Sequence, residues 1–323
     1  EKELTIVDSA DRIVTVKKPL KRIIVNSGDC LELLQAIKLE ADRVVGIQDV
    51  RSRSLPFPGY QDKPIVDSKD PESFLSLNPD VIVVWLSSRG VTNKTIDIFK
   101  LAGIPVICVY GGVEETDMLE DVKRFGYLFE KKDEAYEFID WYEGVINQIK
   151  EKVEEIPEED KPKVYYESYK KWHVYGEDRD RVGRAGGKNI FEEQGIIDAE
   201  AVIDRNPEII VKTPWYIGGY QIDADDTAGL EEVRDEIMSR PELQKAPAVK
   251  EKRVYVITGY ITTWGPSAGS RGFLSVAYMA KWFHPELFKD LDPKALHQEY
   301  LTRFHGLDID LDEKGVFVYP EPS

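Results

Sequence analysis

The sequence predicts an α/β protein of two Rossmann-like lobes with mainly parallel sheets, connected by one long backbone helix. A repeated phrase, a β-α-β rhythm and one long helical stretch carry that prediction. The segment DPESFLSLNPDVIVV, beginning at Asp70, returns as DAEAVIDRNPEIIVK, beginning at Asp198. Asp70 matches Asp198, Glu72 matches Glu200, Asn78-Pro79 matches Asn206-Pro207, and the acids Asp80 and Glu208 fall in step. In each copy an acid-led amphipathic segment of about two turns stops at Asn-Pro, because proline disfavours helix in the residue before it, and an apolar strand begins. A helix-turn-strand unit written twice implies two related halves.

The elements follow in order. LTIVD and RIVTVKK flank the polar turn SAD and predict an N-terminal hairpin. KRIIVNSGD predicts a buried strand, CLELLQAIKL a helix and DRVVGIQD a second strand, which together require a parallel sheet. After the loop RSRSLPFPGYQDKP comes the first repeat copy, then TIDIFKLAGIPVICVYGG as a helix and strand. The first lobe is set at residues 1–113. From 114 to 157 lies a helical region in which Leu119, Val122, Phe125, Phe129, Phe138, Tyr142, Ile146, Ile149 and Val153 recur at spacings of three and four. The part after Lys132 has room for a helix of roughly 24 residues, about 36 Å at 1.5 Å each. It is either an interlobe helix or half of a helical hairpin within one domain. The second lobe, 158–323, has KPKVYYESY as a strand, GGKNIFEEQG as a helix start with its glycine stop, and the second repeat copy. A helix around LEEVRDEIMS, the strand KRVYVITGY and a helical SRGFLSVAYMAKWFHPELF complete it.

At 323 residues the chain has length for roughly two domains of ~150, each with its own core. The net charge of −17 and the lack of any basic run exclude a general nucleic-acid binder, since phosphate backbones are held by positive patches. Cys30 and Cys108 have no CxxC spacing, which excludes a thiolate zinc site and leaves open a single disulfide or two buried thiols. No apolar run reaches the length of a membrane span.

Eight segments, in order, resemble the substrate-binding proteins of ABC importers for iron complexes and corrinoids. They are DSADRIVTVKKPLKRIIV, DRVVGI, PESFLSLNPDVIV, LAGIPVICV, GGKNIFEEQG, AEAVIDRNPEIIV, RPELQKAPAVKEKRVYVI and AKWFHPELF. The resemblance implies the class III architecture of that family, two lobes on a rigid helix with limited closure, and a monomer located outside the cytoplasm. Such a protein is periplasmic or anchored at the outer face of the cytoplasmic membrane. The implied partners are a small-molecule metal chelate and a membrane permease dimer; Glu72 and Glu200 match the positions at which each lobe docks into an arginine pocket of that permease. No intrinsic cofactor is implied. The ligand is expected to be an iron complex or corrinoid, such as a ferric siderophore, haem or cobalamin; molybdate or tungstate is the alternative.

In open α/β sheets ligands lie beyond the carboxyl ends of the strands. That rule selects Trp85, Arg89 and Tyr110 in the first lobe, and Trp172, Trp215, Tyr216, Tyr260 and Trp264 in the second. Arg184 in VGRAGGKN and Arg271 in GSRGFL lie among small residues. Flat aromatics with a polar edge suit a bulky, partly apolar ligand, and arginines suit its carboxylate or oxyanion groups. The four histidines, His173, His284, His297 and His305, are scattered, so direct metal coordination is not expected. The tail DIDLDEKG lacks the glycine and distal glutamate of a calcium loop. No GxSxG, phosphate loop or dinucleotide glycine pattern occurs, so an enzyme resting on pairs such as Asp178 and Asp180 is not the expectation.

Overall fold

The computed structural model describes residues 2–50, 55–85, 90–109, 115–174, 178–214, 222–262 and 271–323. It divides into two compact units, Glu1–Trp141 with Leu301–Leu307, and Tyr142–Tyr300 with Asp308–Ser323.

The first unit opens with the expected hairpin, β1 (Lys2–Val7) antiparallel to β2 (Ile13–Lys18). Its turn closes on the buried Asp8 carboxylate, which accepts the Ala10 and Arg12 N–H groups at 3.0 Å and the Cys108 N–H at 2.9 Å. Then follow β3 (Ile23–Asn26), α1 (Gly28–Ala36), β4 (Val44–Ile47), α2 (Pro71–Leu75), β5 (Val81–Trp85), α3 (Asn93–Leu101) and β6 (Val106–Val109). The four strands β3 to β6 form one parallel sheet in the order β4-β3-β5-β6. Every residue of β3 and β6 is buried, as a sheet with both faces covered requires.

Next come α4 (Glu115–Leu128) and the 23-residue α5 (Lys132–Glu154). The division between units falls inside α5, where the sequence set a separate region at 114–157. The first unit takes α4 and α5 up to Trp141, and the second continues from Tyr142. Phe138 and Trp141 pack on Phe304 at centroid distances of 5.2 and 4.9 Å, and Tyr142 packs on Phe273 at 5.5 Å. The predicted apolar stripe is buried at Phe138, Tyr142, Ile149 and Val153.

The second unit runs β7 (Lys163–Glu167), β8 (His173–Val174), α6 (Asp178–Arg184), β9 (Lys188–Asn189), β10 (Gly195–Ile196), α7 (Ala199–Arg205), β11 (Ile209–Lys212) and α8 (Ala228–Met238). It ends with α9 (Pro247–Lys250), β12 (Val254–Ile257), α10 (Gly259–Thr262), α11 (Gly272–Phe283), α12 (Pro293–Glu299) and β13 (Val318–Tyr319). Its main sheet has the order β13-β12-β11-β7-β9, parallel except for β13. Counted by their parallel strands, both sheets have the order second-first-third-fourth, so the sequence repeat is also a repeat of topology. The expected helix in GGKNIFEEQG is not formed. Lys188–Asn189 pairs with β7 instead, because Gly186 has a left-handed φ of +85° and Gly187 packs so close to Val164 and Phe283 that a Cβ would sit 2.8 Å from each.

The repeated phrase has the same job in each unit. Asp70 and Asp198 cap α2 and α7 by accepting the N–H groups of Glu72 at 3.1 Å and Glu200 at 3.0 Å. Asn78 (φ 45°) and Asn206 (φ 53°) take the left-handed turn that asparagine tolerates. The acid after Asn-Pro then fastens the first strand: Asp80 accepts the Lys21 and Arg22 N–H groups, each at 2.8 Å, and Glu208 accepts the Lys163 N–H at 2.8 Å. Asp80→Ala is expected to cost about 1–2 kcal/mol, because two backbone donors lose a charged acceptor, and Glu208→Ala less, because one does. Urea unfolding followed by circular dichroism reads that ranking.

Candidate functional site

In a sheet of this order the strand sequence reverses between its first and third strands, and the carboxyl ends of those two strands form the topological switch point where α/β proteins bind ligands. In the second unit the pair is β7 and β11, and the residues in register at its end are Glu167 and Lys212. Both are buried, and they form an ion pair of 2.8 Å. Glu167 also receives a two-pronged contact from buried Arg240, at 2.6 and 2.9 Å, the Tyr165 hydroxyl at 2.8 Å and the Trp172 N–H at 2.9 Å. Glu236 holds the other side of Arg240 at 2.7 Å. Burial by itself pushes the Glu167 carboxyl up, but the Arg240 hydrogen bonds and the Lys212 and Arg240 charges outweigh it and hold the group below the ordinary carboxylate range. Burial lowers Lys212, against the pull of Glu167.

This cluster shapes the segment after β7. The Lys212 ammonium donates to the Ser168 carbonyl at 2.6 Å and the Lys170 carbonyl at 3.2 Å. The Ser168 N–H donates to the His173 carbonyl at 2.8 Å, closing residues 168–173 into a tight loop. The Trp172 ring stacks with Tyr165 at 6.4 Å and has the Arg240 guanidinium 4.7 Å from its centroid. The Tyr169 ring rests on His173 at 4.8 Å.

The first unit has its switch point between β3 and β5. There Asn26 stands in register with Val84, and its Nδ2 donates to Ser68 Oγ at 2.9 Å. The start of α1 is satisfied from within: Ser27 Oγ accepts the Cys30 N–H at 3.2 Å, and Gln48 Oε1 accepts the Gly28 N–H at 2.8 Å. Trp85 ends β5 with 44% of its surface exposed, accessible to a ligand.

The structure thus places Trp85 and Trp172 at the two switch points. Arg184 ends α6, half-buried. Tyr260 and Arg271 lie elsewhere in the second unit, both buried. Tyr260 shares a 2.9 Å hydrogen bond with the His297 ring, and the Arg271 guanidinium sits 4.5 Å from the Tyr260 ring centroid and donates to its carbonyl. Arg89, Tyr110, Trp215, Tyr216 and Trp264 lie outside the described residues. Glu72 and Glu200 are exposed at equivalent positions of α2 and α7. Sequence reasoning missed Lys212 and Arg240. The signal for Lys212 was a charge ending IIVK where the first copy has VIVV.

Cys30 and Cys108 are buried and not joined in a disulfide; burial pushes the Cys108 thiol up to about 11. Among the described residues no group of three or more His, Cys, Asp or Glu side chains is placed to hold a metal. Nor is any helix among them long and apolar enough to cross a membrane.

Residues 23–260 match the profile of a family described as periplasmic binding protein. The chain belongs to that family. It is 24% identical over 296 residues to an uncharacterized ABC transporter substrate-binding lipoprotein of Bacillus subtilis, covering 89% of this chain and 87% of that one. It is 26% identical over 165 residues to the iron(3+)-hydroxamate-binding protein of the same organism, covering 48% and 49%. The molybdate-bound periplasmic binding protein of Haemophilus influenzae superposes with a TM-score of 0.71 at 18% identity, covering 95% of this chain and 99% of that one. That likeness establishes the periplasmic binding protein fold.

Glu167→Gln tests the buried cluster. Leaving buried Lys212 without its counter-charge, and Arg240 with Glu236 alone, is expected to cost about 3–5 kcal/mol. Because the folded carboxyl is held below its unfolded value, its contribution is complete above the ordinary carboxylate range and is lost as pH falls through that range toward the folded value. Urea titrations from pH 7 down to 3 should therefore show a shallower acid loss in the variant than in the parent.

Proposed function

We propose that this protein is the extracytoplasmic substrate-binding component of an ABC importer and delivers a metal-bearing small molecule to a permease dimer. A binding role, without catalysis, accounts for two sheets of repeated strand order. The observation that carries it is the duplicated topology with Glu72 and Glu200 exposed at equivalent sites, in a chain of the periplasmic binding protein family. A carboxylate on each of two related units suits a two-fold symmetric partner, where exposed charges set orientation and encounter rate more than affinity.

The ligand class proposed is a chelated metal, a ferric siderophore, haem or corrinoid. The support is aromatic: Trp85 is exposed at one switch point, and Tyr169 and Trp172 lie at the other. Arg89, Tyr110, Arg184, Trp215, Tyr216, Tyr260, Trp264 and Arg271 are the further candidates from sequence. A small oxyanion is the second possibility, favoured by likeness to the molybdate-bound structure.

Thermal shift against ferric hydroxamate and catecholate chelates, haem, cyanocobalamin, molybdate and tungstate separates the two. A ligand selective for the native state adds roughly 2.7 kcal/mol at 100 times its Kd, so one chelate should raise Tm by several degrees. A shift with molybdate or tungstate alone would replace the chelate by the oxyanion. For the partner, Glu72→Ala combined with Glu200→Ala should abolish uptake into cells while ligand binding by the purified protein is unchanged; normal uptake would refute the docking role.

A further inference from the structure

Lys170 and Lys171 form the tip of the loop that follows β7, at the switch point of the second unit. Both side chains are exposed, and among the described residues neither ammonium is paired with a carboxylate. In a chain of net charge −17, where acids outnumber bases 60 to 43, two adjacent lysines so placed make a local cationic tip. Each Nζ instead lies near an aromatic ring of the same loop, Lys170 at 5.9 Å from the Tyr169 centroid and Lys171 at 5.5 Å from Trp172.

The loop is also held firmly. Buried Lys212 fixes the Ser168 and Lys170 carbonyls, Glu167 fixes the Trp172 N–H, and Arg240 and Tyr165 flank the Trp172 ring. A braced backbone loses little freedom on binding, which lowers the cost of presenting its charges to a ligand. Burial first, and then the charges of Lys170 and Lys212 against that of Glu167, hold the His173 ring of the same loop below its ordinary value.

We infer that the Lys170–Lys171 loop selects a multiply anionic ligand. This deepens the transport function proposed above and rests on it. Of the ligand classes named there, it favours a ferric tris-catecholate, or an oxyanion, over a neutral ferric trihydroxamate or cyanocobalamin. The two anionic sources share the charge recognition and differ in size. A chelate would also cover the Tyr169 ring, whereas an oxyanion would need only the ammonium groups.

The test is tryptophan-fluorescence titration of the full chain with ferric tris-catecholate, ferric trihydroxamate, cyanocobalamin and molybdate, at about 0.05 and 0.5 M salt, where screening lengths differ several-fold. The variants are Lys170→Gln with Lys171→Gln, the charge reversal Lys170→Glu with Lys171→Glu, and a control of equal net charge, Lys245→Gln with Lys250→Gln. The expected result is binding of an anionic ligand that weakens with salt, weakens roughly tenfold in the glutamine pair and further in the reversal, and stays unchanged in the control. Adding Tyr169→Ala weakens a catecholate and spares molybdate. Preferred binding of a neutral ligand, or anion binding equal in the glutamine pair and the parent, would overturn the charge selection and leave the transport function standing. Binding of none of the four would overturn both.

Discussion

In each unit the first and third strands of a parallel sheet lie side by side, and the rest of the fold hangs on that pairing. Parallel neighbours cannot be joined by a tight turn, so a helix must cross one face, and the apolar strands must be covered on both. The pair is fastened at its amino end by the acid that follows Asn-Pro, Asp80 in one unit and Glu208 in the other. Its carboxyl end is left for loops. Fixing one end in the same way twice lets the other end diverge without cost to the sheet.

That divergence is chemical. Where the first unit ends its pair with Asn26 beside Val84, the second ends with Glu167 beside Lys212. Burying two opposite charges in a sheet is expensive unless their remaining donors and acceptors are satisfied. Here Arg240, Tyr165 and Trp172 satisfy the carboxylate, and two loop carbonyls satisfy the ammonium. An apolar pair would pack as well in the strands. It would not reach out and hold residues 168–172. The charge is therefore better understood as part of the loop than as part of the core.

Much of this was legible in the sequence. The hairpin, the parallel strands, both copies of the repeated phrase and the long α5 follow from period, proline position and β-branched runs, which are local signals. GGKNIFEEQG misled because helix propensity and a glycine stop are local, whereas the contact that makes Lys188–Asn189 a strand is the approach of Phe283 and Val164 to Gly187. The positions after each strand were identifiable by rule. The partners were not: Arg240 meets Glu167 from the end of a distant helix, and nothing in RPELQ announces a buried guanidinium. Trp172 stood out as a large ring in a loop, but only the fold reveals that it contacts Tyr165 and Arg240.

The return of Leu301–Leu307 to the first unit has a consequence for how the protein is made. Phe304 covers Phe138 and Trp141, and Gln35 hydrogen-bonds His305 at 3.0 Å. The first unit therefore remains incomplete on the ribosome until residue 307 has been translated. A nascent chain that has not reached this segment leaves the Phe138 and Trp141 rings without the cover of Phe304, so sealing of this aromatic cluster waits on residues about 160 positions downstream.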